Sequence, residues 1–429
     1  MMRARTGLVA LAAVVVAAAV ACAPGSADRS SSAAAPPVAG HGTVRMAATT
    51  AATASPRQLR AQFEQLLGLH ALLAVRQMRA VVVGAPDFQQ VAGASLQANT
   101  EALGRLVATA YGGAHAASFT QLWQRHLADL VSYAKGLASN DTAATQAARA
   151  LLAADAEAYG SWLAAASNGR VQAGDAAAGV RLHVQELMRQ ADAYAAGDYQ
   201  QAYQIERQAY RQMFSAGAAL AKASLTPELA VGVDAAPEKL RSALAMLLGE
   251  HLELVIEAQR ATFTGAAQFR AAAAQVNANT TALSQAMGAI VGPSKAREFQ
   301  SAWANHVEGL LAYTAAVAGN DQAAKAAAKR NLDGFAARLA LYLSDVVNNV
   351  LPAEPLTDAV TMHDTHLVNH VEAYAAKRYD QAQQLKLEGY RQMLEVANTL
   401  VGAIQRTVKR RLPVGGSQTG GGGTAHCRR

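Results

Sequence analysis

An internal repeat is the feature that most constrains the fold of this chain, because residues 58–225 match residues 239–405. The offset is 181 residues as far as Phe88 and 180 residues from Leu96 onward. Two copies of one unit in a chain indicate one supersecondary arrangement built twice. Matching pairs include Leu67 with Leu248, Gly68 with Gly249, Trp123 with Trp303, Tyr133 with Tyr313, and Tyr210 with Tyr390.

Helical periodicity runs through each copy. Leu59, Phe63, Leu66 and Leu73 follow the spacing of one face of an α-helix. Gly and Asn recur where helices would end, and Asp or Thr where the next would begin. With these short loops, the pattern predicts an all-α fold of two tandem antiparallel helical bundles of about six helices each. The six predicted helices of the first copy cover residues 58–83, 87–110, 115–138, 142–166, 175–196 and 199–224.

The N-terminus has the pattern of a signal peptide. A short basic stretch precedes an uninterrupted apolar run over residues 7–21, which is long enough for a signal-peptide core and too short for a membrane span. Small residues at Ala19 and Ala21 precede Cys22, an arrangement typical of bacterial lipoproteins. We therefore expect lipidation of Cys22 and an extracytoplasmic protein anchored to the cell membrane, with simple secretion as the alternative.

The remaining segments complete the predicted domain organisation. Ala, Ser, Pro and Gly dominate before the first repeat and suggest a flexible tether, and a Gly-rich tail containing Cys427 follows the second repeat. The predicted organisation is a signal peptide over 1–21, a tether over 22–56, repeat 1 over 57–225, a linker over 226–238, repeat 2 over 239–411, and a disordered tail over 412–429.

The formal net charge of +7 lies at the two ends of the chain. Arg3 and Arg5 are the only charged residues in 1–21, and residues 406–429 contain basic residues without any acid. The two repeats between them are nearly neutral. Because phosphate binding needs clustered Lys and Arg, we expect no nucleic-acid partner. The basic C-terminal end would face the anionic envelope surface near the lipid anchor.

Histidines are the clearest candidates for chemistry. Three of them recur at the repeat offset, and each lies among apolar residues near the middle of the first, third or fifth helix of its repeat. Three imidazoles that meet in a bundle core, with a fourth position open, would suit a zinc or copper ion. The alternative is that they are ordinary buried histidines held by hydrogen bonds. The pairs are His70 with His251, His126 with His306, and His183 with His363.

The fifth helix of repeat 2 carries two further histidines. His366 and His370 follow His363 at helical spacing, and the equivalent positions of repeat 1 are Glu186 and Gln190. His366 would be an additional ligand beside His363, and Glu186 a carboxylate ligand in repeat 1 or a group that orients an imidazole there. We interpret His370 as part of a solvated polar face.

Four other recurring residues are candidates for supporting roles. Met213 and Met393 correspond, and a thioether beside imidazoles would favour copper, although methionine at helical spacing also fills cores. Asn99 and Asn279 lie in otherwise apolar helices, where each would hydrogen-bond an imidazole or a loop carbonyl.

The repeat resembles a family of secreted Gram-positive bacterial proteins that have tandem helical units. The resemblance rests on residues 247–251 (LLGEH), the Asn279-Thr280 pair, Trp303 followed by His306, and the His183-Val184 pair. Some members are labelled copper amine oxidases. Family members often have a histidine before the methionine of the last helix, where this chain has Gln212 and Gln392, so it departs from the family at the position of a fourth imidazole ligand. This chain lacks the Asn-Tyr dipeptide from which such oxidases form their quinone.

Three functions remain open at the sequence level. The first is a cell-envelope protein that binds copper or zinc for storage, buffering or delivery. The second is a lipid-anchored structural or interaction module without a metal, and the third is a haem-binding bundle. No Ser-His-Asp arrangement, phosphate loop or paired-carboxylate motif indicates an enzyme. The sequence does not identify a protein partner.

Overall fold

The computed structural model describes residues 54–411, with side chains as far as residue 407. This region is all-α, as predicted, and contains thirteen α-helices, a 3₁₀ turn and no strand. The first repeat comprises α1 (Pro56–Val82), α2 (Pro86–Tyr111), α3 (Gly113–Ala138), α4 (Thr142–Ala166), α5 (Ala173–Ala195) and α6 (Tyr199–Ser224). The second comprises α8 (Ala236–Thr264), α9 (Ala266–Val291), α10 (Pro293–Ala318), α11 (Gln322–Val346), α12 (Ala353–Ala375) and α13 (Tyr379–Arg411). Between them lie the short helix α7 (Pro227–Ala230) and the 3₁₀ turn over Val231–Asp234.

Local sequence determines where the helices begin and end. Ser55 caps α1 in a reciprocal capping box with Gln58. Asp141 accepts a hydrogen bond from the backbone N–H of Ala144 at 2.9 Å and so begins α4. Asn140 and Gly197 end helices in the left-handed region, at φ 53° and 75°. The six helices of repeat 1 begin and end within two residues of the predicted limits.

Each repeat is built around its first helix. Helix α1 contacts α2, α3, α5 and α6, and α8 contacts α9, α10, α12 and α13 in the same way. Both central helices are buried on nearly all sides, as the long runs of buried residues from Leu67 to Arg76 and from Leu247 to Ala261 show. A polar residue on α1 or α8 therefore lies inside the protein and needs a polar partner there.

The two repeats pack against each other through equivalent helices. Tyr210 and its counterpart Tyr390 meet at this interface, with their hydroxyl oxygens 3.3 Å apart. Gly249 lies so close to these rings that a Cβ atom there would be 2.5 Å from the Tyr210 hydroxyl. Helix α6 contacts α9 and, in the equivalent way, α13 contacts α2. One hydrophobic cluster includes residues of both repeats, so the repeats share a core.

Several features expected from the sequence lie outside the described residues. These are the signal peptide, Cys22, nearly all of the tether, and the tail with Cys427. Within residues 54–411, no helix combines the length and hydropathy that a membrane span requires.

Candidate metal centres

Three histidines of repeat 1 come together in its core. His70 on α1, His126 on α3 and His183 on α5 are each at most 2% exposed. Their ring centroids are 5.4 to 5.7 Å apart, and one nitrogen of each ring lies within 4.8 Å of the others. The Nε2 atoms of His70 and His183 are only 3.3 Å apart. The convergence that the sequence predicted is therefore present.

Repeat 2 builds the same arrangement from the equivalent residues. His251 on α8, His306 on α10 and His363 on α12 are at most 3% exposed. Their ring centroids are 5.5 to 5.9 Å apart, and they too offer three nitrogens within 4.8 Å of one another. Around a tetrahedral ion with bonds of about 2.0 to 2.1 Å, ligand nitrogens lie roughly 3.3 Å apart. The Nε2 atoms of His70 and His183 already have that spacing.

Burial keeps all six imidazoles neutral near pH 7. It lowers the pKa of His126 to about 4 and that of His251 to about 3. Burial also lowers the pKa of the other four, and neighbouring imidazoles add to the effect; for His70 these neighbours are His183 and His126. Neutral imidazole has the free lone pair with which histidine binds metals.

Most ring nitrogens of the triads have no hydrogen-bond partner among the described residues. The buried nitrogens without a partner are both ring nitrogens of His126, His306 and His363, Nδ1 of His70, Nδ1 of His183 and Nε2 of His251. Buried polar atoms are nearly always hydrogen-bonded, so such a cluster requires an explanation. An ion shared by the three rings would satisfy one nitrogen of each.

Aromatic rings surround each triad. Trp123 lies 4.4 Å from His70, measured between ring centroids, and stacks on Phe119. In repeat 2, Trp303 donates its indole N–H to Nδ1 of His251 at 3.3 Å, and Phe335 stacks on His306 at 4.3 Å. These walls fix the ring orientations and keep bulk water away from the nitrogens.

An apolar cavity adjoins each triad. The cavity of repeat 1 has a volume of about 490 Å³ and is lined in part by His126, His183 and Met213. The cavity of repeat 2, of about 320 Å³, is lined in part by His306, His363 and Met393. The two methionines therefore lie beside the triads, and each triad has an open side next to a space large enough for a small ligand.

The other predicted site residues lie outside the triads. His366 is half-buried, with Nδ1 3.3 Å from Oε1 of Gln392 and Nε2 3.8 Å from Glu388. Glu186 is buried, and burial raises its pKa. Neither residue belongs to the three-histidine groups.

The two asparagines bind backbone carbonyl groups and not imidazoles. Asn99 donates to the Leu66 carbonyl at 3.1 Å, and Asn279 donates to the Leu247 carbonyl at 3.0 Å. Each links the second helix of its repeat to the central helix, one turn from the histidine of that helix. They position the central helices.

The interpretation of His370 as part of a solvated face was wrong. Its side chain is completely buried at the junction of the repeats, with Nδ1 3.0 Å from Oε1 of Gln259. Burial, assisted by the positive charges of Arg76 and Lys386, lowers its pKa to about 3. The polar face of α12 was predicted to be exposed because the sequence does not show that it packs on the central helix α8, where Gln259 offers a polar partner.

Sequence reasoning also missed a buried cluster of charges at this junction. Glu206, Glu253 and Glu257 bring carboxylate oxygens within 4.8 Å of one another. Three cations pair with them: Arg76 with Glu253 and Glu257, Arg79 with Glu206 and Glu257, and Lys386 with Glu253. The charges balance, so this group has no need of a metal ion. Charged residues on the central helices were the available signal.

Comparisons with known proteins give no relative from which a function could be transferred, since no family model, curated protein or solved structure matches this chain.

Proposed function

We propose that each repeat binds one transition-metal ion through its three imidazoles and that the protein stores, buffers or delivers this metal at the cell envelope. The observation that carries the proposal is the twofold occurrence of three buried imidazole nitrogens within 4.8 Å. A single buried cluster could be accidental, but two at equivalent positions share one arrangement of helices. The proposal explains why so many buried nitrogens lack a hydrogen-bond partner.

The ligand set favours copper or zinc. Neutral imidazole suits both ions, and three histidines with an open fourth position occur with each of them. Met213 and Met393 line the cavities beside the triads, and a thioether that approached the open position would favour Cu(I) over Zn²⁺. Of the two ions, copper is therefore the one we propose.

The surroundings of the triads favour binding over catalysis. The cavities are mainly apolar, and each is lined by one carboxylate, Asp175 in repeat 1 and Glu395 in repeat 2. Both are exposed and lie outside the triads, unlike the general base of a metal-activated hydrolase. The haem alternative fits the geometry less well, because a porphyrin plane between two of the rings would collide with the third. A protein that binds an ion in a core without bulk water and releases it through a cavity needs no catalytic residues.

We further propose that the protein acts outside the cytoplasm, anchored by a lipid on Cys22. Support comes from the N-terminal sequence alone, which combines a basic start, an apolar run and Cys22 after small residues. Labelling with a radioactive fatty acid tests this. We expect the wild-type chain to be labelled and a Cys22→Ser variant to remain unlabelled, whereas label on both would show that the lipid is elsewhere.

Metal analysis of purified protein tests the binding proposal. Elemental analysis after loading with Cu(I) or Zn²⁺ and gel filtration should give one ion per triad, or two per chain. His126→Ala and His306→Ala should each remove one ion, and the double variant both. His115→Ala is the matched control, because this half-buried histidine has Lys295 as its counterpart and lies outside the triads. Wild-type protein that retains no metal would refute the proposal and favour a structural module.

A further inference from the structure

A third cavity lies between the two repeats, away from the histidine triads. Its volume is about 520 Å³, within the usual range for small-molecule sites. It is bounded by the last turns of α1, α5, α8 and α12 and the first turns of α2, α6, α9 and α13. None of the six triad histidines lines it. Its walls are mainly aromatic and cationic: Arg76, Arg79, Arg260, Phe88, Tyr194 and Tyr374.

Arg260 lines this cavity with an uncompensated charge. Arg260 is only 4% exposed, and all three of its guanidinium nitrogens lack a hydrogen-bond partner among the described residues. The guanidinium carbon lies 4.8 Å from the centre of the Phe88 ring and 5.3 Å from that of Tyr374. Cation–π contacts compensate only part of the cost of burying a charge, so Arg260 still requires an anion.

The equivalent arginine of repeat 1 shows what Arg260 lacks. Arg79 also lies over aromatic rings, those of Tyr194 and Tyr203. Its Nη1 atom, however, is 2.9 Å from a carboxylate oxygen of Glu206 and 3.4 Å from one of Glu257. The Nη2 atom of Arg79 donates to the Ala202 carbonyl at 3.3 Å. The charge of Arg79 is therefore satisfied inside the protein.

The repeat offset shows why Arg260 has no such partners. The position equivalent to Glu206 is Lys386, and the position equivalent to Glu257 is Arg76. Both carboxylates that would complete a symmetric arrangement are replaced by cations. These two cations pair with Glu253 and Glu257, so the three buried carboxylates of the junction are already matched by Arg76, Arg79 and Lys386. Arg260 leaves one positive charge in excess.

We propose that the junction cavity binds a small organic acid with a flat apolar body, whose carboxylate pairs with Arg260. A guanidinium binds a carboxylate through two parallel hydrogen bonds, which would satisfy the buried donors. Phe88, Tyr374 and Tyr194 supply flat walls for the rest of the molecule. Two acidic residues line the cavity, and neither is a hydrogen-bond partner of Arg260. Asp87 is exposed, and the buried Glu257 pairs with Arg76 and Arg79. Because residues of both repeats form the walls, this ligand would bind only when the repeats are packed together.

Calorimetric titration of the purified full-length protein with sodium benzoate tests the proposal. We expect saturable binding of one benzoate per chain and no binding of benzyl alcohol, which has the same ring without the charge. Arg260→Gln should weaken benzoate binding roughly 10- to 100-fold, the loss expected for a charge-assisted pair. The matched control is Arg270→Gln, which removes an exposed arginine of α9 and should leave binding unchanged.

Thermal unfolding without ligand provides a second, independent readout. Because Arg260 is proposed to be an unpaired buried charge, Arg260→Gln should raise the Tm or leave it unchanged, whereas Arg79→Gln should lower it. Benzoate binding that is equal in wild-type and Arg260→Gln protein would overturn the proposal, as would the absence of any benzoate binding. If the protein bound no benzoate and Asp87→Asn lowered the Tm, Asp87 would be the anion that pairs with Arg260. That result would also overturn the proposal.

Discussion

The indole N–H of Trp303 donates a hydrogen bond to Nδ1 of His251, at a distance of 3.3 Å. A neutral imidazole has one nitrogen with a free lone pair and one that carries a proton. Trp303 uses that lone pair, so Nε2 of His251 carries the proton in this arrangement. A metal ion needs the same lone pair. The hydrogen bond and a metal bond to neutral His251 are therefore mutually exclusive.

Metal binding to repeat 2 should thus change the environment of Trp303. We expect Zn²⁺, which does not itself quench fluorescence, to shift the emission of Trp303 as the hydrogen bond breaks. The measurement uses a chain in which Trp123 and Trp162 are both replaced by Phe, so that Trp303 is the only tryptophan among the described residues. A His306→Ala version, in which the triad is incomplete, is the control. Stoichiometric Zn²⁺ binding with unchanged Trp303 emission would contradict this mechanism.

The two triads should differ in their dependence on a nearby carboxyl group. Asp364 lies 3.5 Å from Nδ1 of His306, whereas its counterpart in repeat 1 is Val184. Burial, reinforced by Asp333, raises the pKa of Asp364 well above its usual value. When a metal occupies the other nitrogen of His306, its Nδ1–H would donate a hydrogen bond to Asp364, which would orient the ring.

Asp364→Asn should therefore weaken metal binding at repeat 2 about 10- to 100-fold. A competition titration with a chromophoric chelator can measure this in a His126→Ala background, which leaves repeat 2 as the intact site. The control is Asp364→Asn in a His306→Ala background, where repeat 1 is the intact site. Metal binding should not change there, because repeat 1 has no equivalent carboxyl group. An equal effect on both sites would mean that Asp364 acts on stability and not on the ion.

The metal-free protein should lose stability as the pH falls below about 6.5, the ordinary pKa of histidine. The folded state keeps His126 neutral down to a pKa of about 4 because the ring is buried, while the unfolded chain takes up a proton near pH 6.5. Between these values the unfolded state binds more protons, so acid favours unfolding.

For His126 alone this linkage amounts to about 2 kcal/mol between pH 7 and pH 5. Urea unfolding of the metal-free protein at the two pH values can measure it. We expect His126→Gln to lose about 2 kcal/mol less than the wild type over this interval, because glutamine does not titrate. Equal pH dependence of the two proteins would show that His126 is already protonated in the folded state or is accessible to water.

The sequence predicted the elements and the triads well because both depend on local periodicity and on the repeat. The spacing of Leu59, Phe63 and Leu66 indicates a helix, and the recurrence of His70 as His251 on an apolar face indicates a buried site. The contact between the repeats could not be predicted in this way. His370 was assigned to a solvated face because its helix face is polar, but its side chain is buried and lies against Gln259 of the central helix α8.

The difference between the surroundings of Arg79 and those of Arg260 also depends on contacts between the two repeats. Glu206 and Lys386 occupy equivalent positions, and the sequence shows their opposite charges. It does not show that both point toward the same buried cluster, where one completes the surroundings of Arg79 and the other leaves Arg260 without an anion. Charge differences between equivalent residues of a repeat become informative once the interface between the copies is known.

Glu64 provides a test of how strongly the two repeats are joined. It is completely buried on α1 and accepts hydrogen bonds from Arg241 Nη2 at 2.5 Å and Ser242 Oγ at 2.7 Å, both from α8, as well as from Arg60. Removing the charge of a buried ion pair leaves its partners uncompensated. Glu64→Gln should therefore reduce the free energy of unfolding by about 3 kcal/mol, measured by urea titration. Glu101→Gln, which changes an exposed glutamate of α2, should have almost no effect. If the two substitutions had similarly small effects, the ion pairs of Glu64 would not join the repeats.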